Sequence, residues 1–289
     1  MKEKKTMKKT TLKLLALMLA CIMLLPLAIA CDKTNDTTST TESTEKPEPT
    51  EVEKFAALSE SEKAFYILTM DVNDDGKTSM DMTMDLSTTY MGYKITATIS
   101  GTQVEIDTAD KYVDYSEMNM TMTMMGTSTV MLSKEGYIDG RAFYYGLSDG
   151  EGGGYYAPMT KEQYIADYKD DEEDSDNDFG ITKENCQTVT CIKVGDNYVA
   201  TFTDITGDGL TEFKTLVESF SGLVDPEALT DVTLTLTVTK DLVPVSADVS
   251  FEFSDSSIVL TMSCDYQFGS DVTEPTVDMS DFEETDSLM

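Results

Sequence analysis

Strict alternation of apolar and polar residues dominates this chain. Met80, Met82, Met84 and Leu86 alternate with Asp81, Thr83 and Asp85, and Ile95, Ala97 and Ile99 alternate with threonines. Met118, Met120, Met122 and Met124 alternate with Asn119, Thr121 and Thr123. The C-terminal third repeats the pattern in Val232, Leu234, Leu236 and Val238, then in Val245, Ala247, Val249, Phe251 and Phe253. Ile258, Leu260, Met262, Cys264, Tyr266 and Phe268 complete it. A period of two sends successive side chains to opposite faces, so these segments predict antiparallel strands with one side packed and one side wet.

Helical signals interrupt the strands. Ser59 followed by Glu62 has the spacing of a capping box, and Ala64, Phe65 and Leu68 supply an apolar stripe, so a helix is expected over 58–70. Thr160 and Gln163 open a second helix, reaching about Lys169. Leu210, Phe213, Val217, Phe220 and Val224 fall at helical spacing and predict a third over 209–223. Helix stripes and a one-sided sheet are natural partners. The expected fold class is therefore α+β: a large curved antiparallel β-sheet of meanders with helices packed on one face.

The ends of the chain change the picture of where this domain sits. Lys2, Lys4, Lys5, Lys8, Lys9 and Lys13 precede an uncharged apolar stretch from Leu14 to Ala30, which reads as a signal peptide over 1–30. Leu27-Ala28-Ile29-Ala30-Cys31 resembles the lipobox of bacterial lipoproteins, with Ala28 standing where that motif usually has Leu. The resemblance implies that Cys31 is lipidated and becomes the first residue of the mature chain. Residues 31–54 are Thr, Ser, Glu and Pro with almost nothing apolar, and read as a disordered tether. Residues 55–289 remain for a single α+β domain with an acidic C-terminal tail. Asp32 after the lipidated cysteine resembles an inner-membrane retention signal, so the expected location is the outer face of a cytoplasmic membrane.

Charge narrows the partners. The whole chain carries −33, and the first thirty residues carry +5, leaving −38 on the rest. So acidic a domain is repelled by nucleic acid and by anionic headgroups, so the N-terminal lipid has to provide the membrane attachment.

Several residue clusters invite a chemical reading. The Met stripes either fill a core or, being soft and flexible, line a surface for an apolar ligand. Copper(I), which thioethers select, is disfavoured by the absence of any His and by the apolar setting of the stripe. Asp71, Asn73, Asp75 and Gly76 match the first half of an EF-hand loop, but Met82 stands where its bidentate Glu belongs. Asp204, Thr206, Asp208 and Gly209 repeat the near-match with Thr215 at that place, so both segments read as turns. The run Asp170–Asp178, seven acids in nine residues, reads as a solvated loop. Gly146-Leu147-Ser148-Asp149-Gly150 has the form of a nucleophile elbow in a chain without the histidine base that such a serine needs. No catalytic residue and no cofactor is expected. Cys186 and Cys191 lie ~16 Å apart on one strand, too far to bridge. A disulfide from Cys264 to one of them and a buried Cys264 thiol are both open.

Lipobox, polar tether, short N-terminal helix, long Met- and Thr-rich strands and a closing meander together resemble the LolA-like half-barrel lipoproteins. The nearest comparisons are the LppX and LprG group and an uncharacterised family of Gram-positive lipoproteins. Gly136-Tyr137-Ile138-Asp139-Gly140 and Lys240-Asp241-Leu242-Val243-Pro244-Val245 are similar to hairpins of that family. The resemblance implies an apolar ligand, a lipid or a lipoprotein acyl chain, held between sheet and helices. The residues expected to line it are Met80, Met82, Met84, Met118, Met120, Met122, Met124, Phe251 and Phe253. The competing expectation is a structural or interaction lipoprotein with a filled core, acting through its acidic surface or through loops such as Leu147–Gly154.

Overall fold

The computed structural model describes residues 50–70, 76–148, 150–168, 180–218, 223–255, 257–280, 282–286 and 288. The segment read as a signal peptide, Cys31, most of the segment read as a tether, Asp71–Asp75 and the Asp170–Asp178 run lie outside the described residues.

Alternation becomes one open, curved sheet of twelve strands. Six form a first meander: β1 (Lys77–Tyr90), β2 (Tyr93–Asp107), β3 (Tyr112–Met124), β4 (Thr127–Ile138), β5 (Arg141–Ser148) and β6 (Glu151–Pro158). Five form a second: β7 (Cys186–Val194), β8 (Asn197–Ile205), β9 (Leu229–Thr239), β10 (Pro244–Phe253) and β11 (Val259–Phe268). Antiparallel pairing of β1 with β11, from Thr78 opposite Phe268 to Ser87 opposite Val259, fuses the two. A two-residue strand, β12 (Glu283–Glu284), runs parallel to β6 at one edge, and β7 is the other edge. The hairpins foreseen at 136–140 and 240–245 are both present. At the first, Asp139 and Gly140 take left-handed backbone; at the second, the Thr239 hydroxyl accepts from the Asp241 and Val243 amides.

Among the described residues four α-helices accompany the sheet: α1 (Glu51–Ala56), α2 (Glu60–Thr69), α3 (Lys161–Tyr168) and α4 (Gly207–Glu218). Both expected capping boxes exist. Ser59 and Glu62 exchange hydrogen bonds at the start of α2, and Thr160 and Gln163 do so before α3. The first helix falls in the segment read as tether; Thr50 and Glu53 cap it by the same device, and Phe55 anchors it in the core. A capping box thus opens a helix inside a segment that composition alone reads as tether.

We call the face under the helices the inner face. Its main apolar cluster runs continuously from Phe55, Ala64 and Ile67, through Phe213 and Val217 of α4, across β7–β11 to Met84 and Met118. Phe65 and Phe213 meet Phe202 and Phe251 edge-on, at ring separations of 5.5 and 6.0 Å. Val245 departs from its expected phase. A bulge between Pro244 and Ser246 leaves Val245 without a partner opposite and turns Pro244 inward instead.

The outer face is not wholly wet. Val104, Ile106, Val113, Tyr115, Ile138 and Phe143 form a second buried cluster there, because along β2 the burial switches from odd to even positions after Ile99. Val272, Val277, Met279 and Phe282 cover it. The expected acidic tail is thus a strap over a second core, anchored by the Lys111–Glu274 ion pair and by the Thr285 amide on the Tyr156 carbonyl. The Phe282 ring stacks on Tyr145 at 5.8 Å and lies so close over Gly154 that a Cβ there would meet it at 2.6 Å.

Cys186, Cys191 and Cys264 are buried and reduced. β7 and β11 are separated by three strands, roughly 19 Å at the usual spacing. Cys264 is bridged to neither Cys186 nor Cys191, both of which lie on β7.

Candidate functional site

Register decides which side chains share the inner face. One row crosses seven strands: Tyr266, Met80, Gln103, Ser116, Glu135, Tyr144 and Tyr155. Parallel to it runs Met262, Met84, Ile99, Met120, Met131 and Ser148. Between them lie Cys264, Met82, Gly101, Met118, Ser133, Gly146 and Gly153. In each row the residues on β11 and β1 are buried, those on β2–β5 are mostly part-exposed, and the last residue is exposed. α2 and α4 themselves pack on β7–β9.

All nine residues expected to line a ligand sit on this face or at its β10 end, but not in equivalent settings. Met80, Met82, Met84, Met118 and Phe251 are buried in the main cluster, and Phe253 packs against its margin. The β3 stripe emerges from that cluster: Met118 is 3% exposed, Met120 and Met122 are half-buried, and Met124 is 45% exposed. Five of the nine are therefore packing residues. The uncovered part of this face carries Met120, Met122 and Met124, together with Met131 of β4, which the alternation pattern alone did not single out.

At its other end this uncovered stretch meets α3. Tyr164 of that helix reaches the inner face and donates to Asp114 at 2.7 Å, beside Tyr112 and Tyr137. Burial, followed by the Asp114 charge, pushes the Tyr164 hydroxyl far above its usual range. It stays protonated, as a donor to a buried carboxylate must. Asp114 sits diagonally across from Glu135, one step along the strands. Burial, reinforced by Asp114, raises the Glu135 carboxyl above the ordinary carboxylate range. Tyr144, the cross-strand neighbour of Glu135, is raised by burial and then by the Glu135 charge.

Glu135 and Gln103 have no mark in the sequence. The only hint is phase: Met131, Ser133, Glu135 and Tyr137 share one side of β4, and a carboxylate in such a set is out of place.

The other sequence candidates come apart. Asp204 directs its carboxylate to the Thr188 hydroxyl at 2.5 Å, and among the described residues no three His, Cys, Asp or Glu side chains converge as a metal site would require. Gly146–Ser148 ends a strand in a β-hairpin, not the strand–turn–helix of a nucleophile elbow.

No protein-family model and no curated protein matches this chain. Among solved structures, the crystal structure of a DUF1329 family protein from Desulfovibrio piger aligns over 73% of this chain and 92% of its own, at 9% identity and a TM-score of 0.22. At that distance the likeness transfers no function.

Proposed function

We propose that this chain is an extracytoplasmic lipoprotein, tethered through lipid on Cys31 to the outer face of a cytoplasmic membrane, whose LolA-like half-barrel binds an apolar ligand. The binding surface is the uncovered part of the inner face, lined by Met120, Met122, Met124 and Met131. One observation carries the reading: the methionine stripe of β3 passes from buried to exposed along a single strand, on the helix side of the sheet. Thioether side chains half out of a core adapt to varied apolar shapes at little cost.

A second reading keeps the lipoprotein and drops the ligand. Burial of Met80, Met82, Met84, Met118 and Phe251 at 6% exposure or less favours it, since these fill the core that a structural or interaction protein would have.

Native mass spectrometry separates the two. The chain from Asp32 onward, which contains every described residue, would be expressed in bacteria and purified without detergent. A stoichiometric adduct of lipid mass, lost on denaturation and absent from Met122→Asp, supports the carrier. A clean mass that stays clean after incubation with phospholipids and fatty acids overturns it and leaves the filled-core reading. Attachment is tested apart from this, by whether Cys31→Ala releases the full-length chain from the membrane fraction.

A further inference from the structure

Two hydrogen-bond acceptors on the inner face lack donors among the described residues. Gln103 Oε1 is buried and accepts no hydrogen bond. The Glu135 carboxyl is largely enclosed and receives neither a hydrogen bond nor an ion pair; its only electrostatic neighbour of note is the like-charged Asp114. The two flank Ser116 in one row, Gln103 on β2 and Glu135 on β4, roughly 10 Å apart at the backbone. Between two long side chains, the short serine leaves a niche. All three residues keep part of their surface exposed, so the niche lies at the margin of the core and not deep within it.

Nothing nearby closes it. Tyr144, the neighbour of Glu135 on β5, turns its hydroxyl over Gly146, within 2.9 Å of where a Cβ would stand. Lys111, Lys134 and Lys161 bind Glu274, Glu117 and Asp107, and the Arg141 guanidinium lies over the Tyr156 ring. Folded proteins seldom leave buried acceptors unsatisfied, and a site where two of them converge is one where a ligand supplies the donors.

We propose that this niche binds the ammonium head of a long-chain amphiphile, whose chain lies along Met120, Met122 and Met131. An ammonium has three N–H donors and no acceptor, which suits a carboxylate, an amide oxygen and the Ser116 hydroxyl together. The mature chain's charge of −38 draws cations toward it and repels anionic heads. From Ser116 to Met122 is ~20 Å along β3, enough to lay out an extended chain. This inference rests on the apolar-ligand reading above and adds to it the chemistry of the head group.

The test is calorimetric titration of the chain from Asp32 with decylammonium, decanol and decanoate, each below its micelle concentration. Decylammonium is expected to bind at least tenfold more tightly than decanol. Glu135→Gln should reduce it to the level of decanol, as should Ser116→Phe, which fills the niche and leaves the carboxylate in place. Far-UV circular dichroism checks folding, and if one variant does not fold the other carries the test. Equal affinity for all three compounds, or an ammonium preference that survives in the folded variants, overturns the head-group assignment and leaves the apolar surface standing. Failure of all three to bind overturns both. A fourth titration, with propylammonium, should show at least tenfold weaker binding than decylammonium; equal affinity keeps the niche and overturns the apolar surface.

Discussion

Replacing Phe282 by Ala tests whether the C-terminal strap is part of the fold. The ring is half-buried, stacks on Tyr145 at 5.8 Å, and lies 6.5 Å from Phe143, which is itself 1% exposed. A fully buried Phe→Ala costs about 3–5 kcal/mol, and half of that plus about 0.5–1 kcal/mol of ring stacking gives a loss of about 2–3.5 kcal/mol. Gly154 supplies the second arm of a cycle. A Cβ there has Phe282 ring atoms as its three nearest contacts, at 2.6–2.7 Å, so Gly154→Ala should cost about 1–3 kcal/mol through overpacking. Once the ring is gone, the same change places Ala in a strand, where it is favoured over Gly by about 0.5–1 kcal/mol. The two substitutions should therefore be non-additive by at least about 1.5 kcal/mol. Urea unfolding of the chain from Asp32, read as midpoint shifts at constant slope, measures all four corners. Additivity within about 0.5 kcal/mol, or a negligible cost for Phe282→Ala, would refute the packed strap.

Glu135→Gln should raise the melting temperature at neutral pH. The fold raises this carboxyl above its ordinary value of 4.5, so the penalty sets in as pH climbs through that value and persists above the folded one. Thermal melts should show the variant's advantage fade below about pH 4; an advantage independent of pH would contradict the enclosed carboxylate. Tyr164→Phe removes a charge-assisted hydrogen bond to buried Asp114 and should cost about 1.5–3 kcal/mol, with a loss under about 0.5 kcal/mol in urea melts counting against the Tyr164–Asp114 pair. Thiol titration of the chain from Asp32 should find three reactive groups after unfolding and essentially none before, with no change in melting temperature on adding reductant; a reductant-dependent melt would mean a bridge.

Alternation was enough to place most of the strands, because a half-buried antiparallel strand writes its burial into every second residue. Val245 shows the limit: the bulge that shifts its phase is a backbone event, and the apolar side chain gives no sign of it. The second core was written in the sequence, in Val104-Glu105-Ile106 and Val113-Asp114-Tyr115, but those residues alternate in the opposite phase to Ile95–Ile99. Recognising them as a core needs the knowledge that one continuous strand serves two faces. Pairing of β1 with β11 joins residues nearly two hundred positions apart, and no local pattern encodes it. Glu135 was invisible for a related reason. It is one acid among 54 acidic residues, and only cross-strand register puts Ser116 and Tyr144 beside it.

That β1–β11 seam also sets the order in which the molecule can be completed. β1 through β6 can zip as consecutive hairpins while the chain emerges, yet β1 must wait for nearly the last strand before its second edge is filled. Such long-range closure is slow, and in the interval the waiting edge could capture a strand from another molecule. Asp81 and Asp85, spaced along the outer side of β1, give that edge like charges that repel an identical neighbour. In the finished sheet Asp265 and Thr261 of β11 bring them no cation, while Thr102 and Thr98 of β2 donate hydrogen bonds to Asp81 and Asp85. The same acids thus act in both states: they repel an identical edge while β1 waits, and accept from threonines once the sheet is complete.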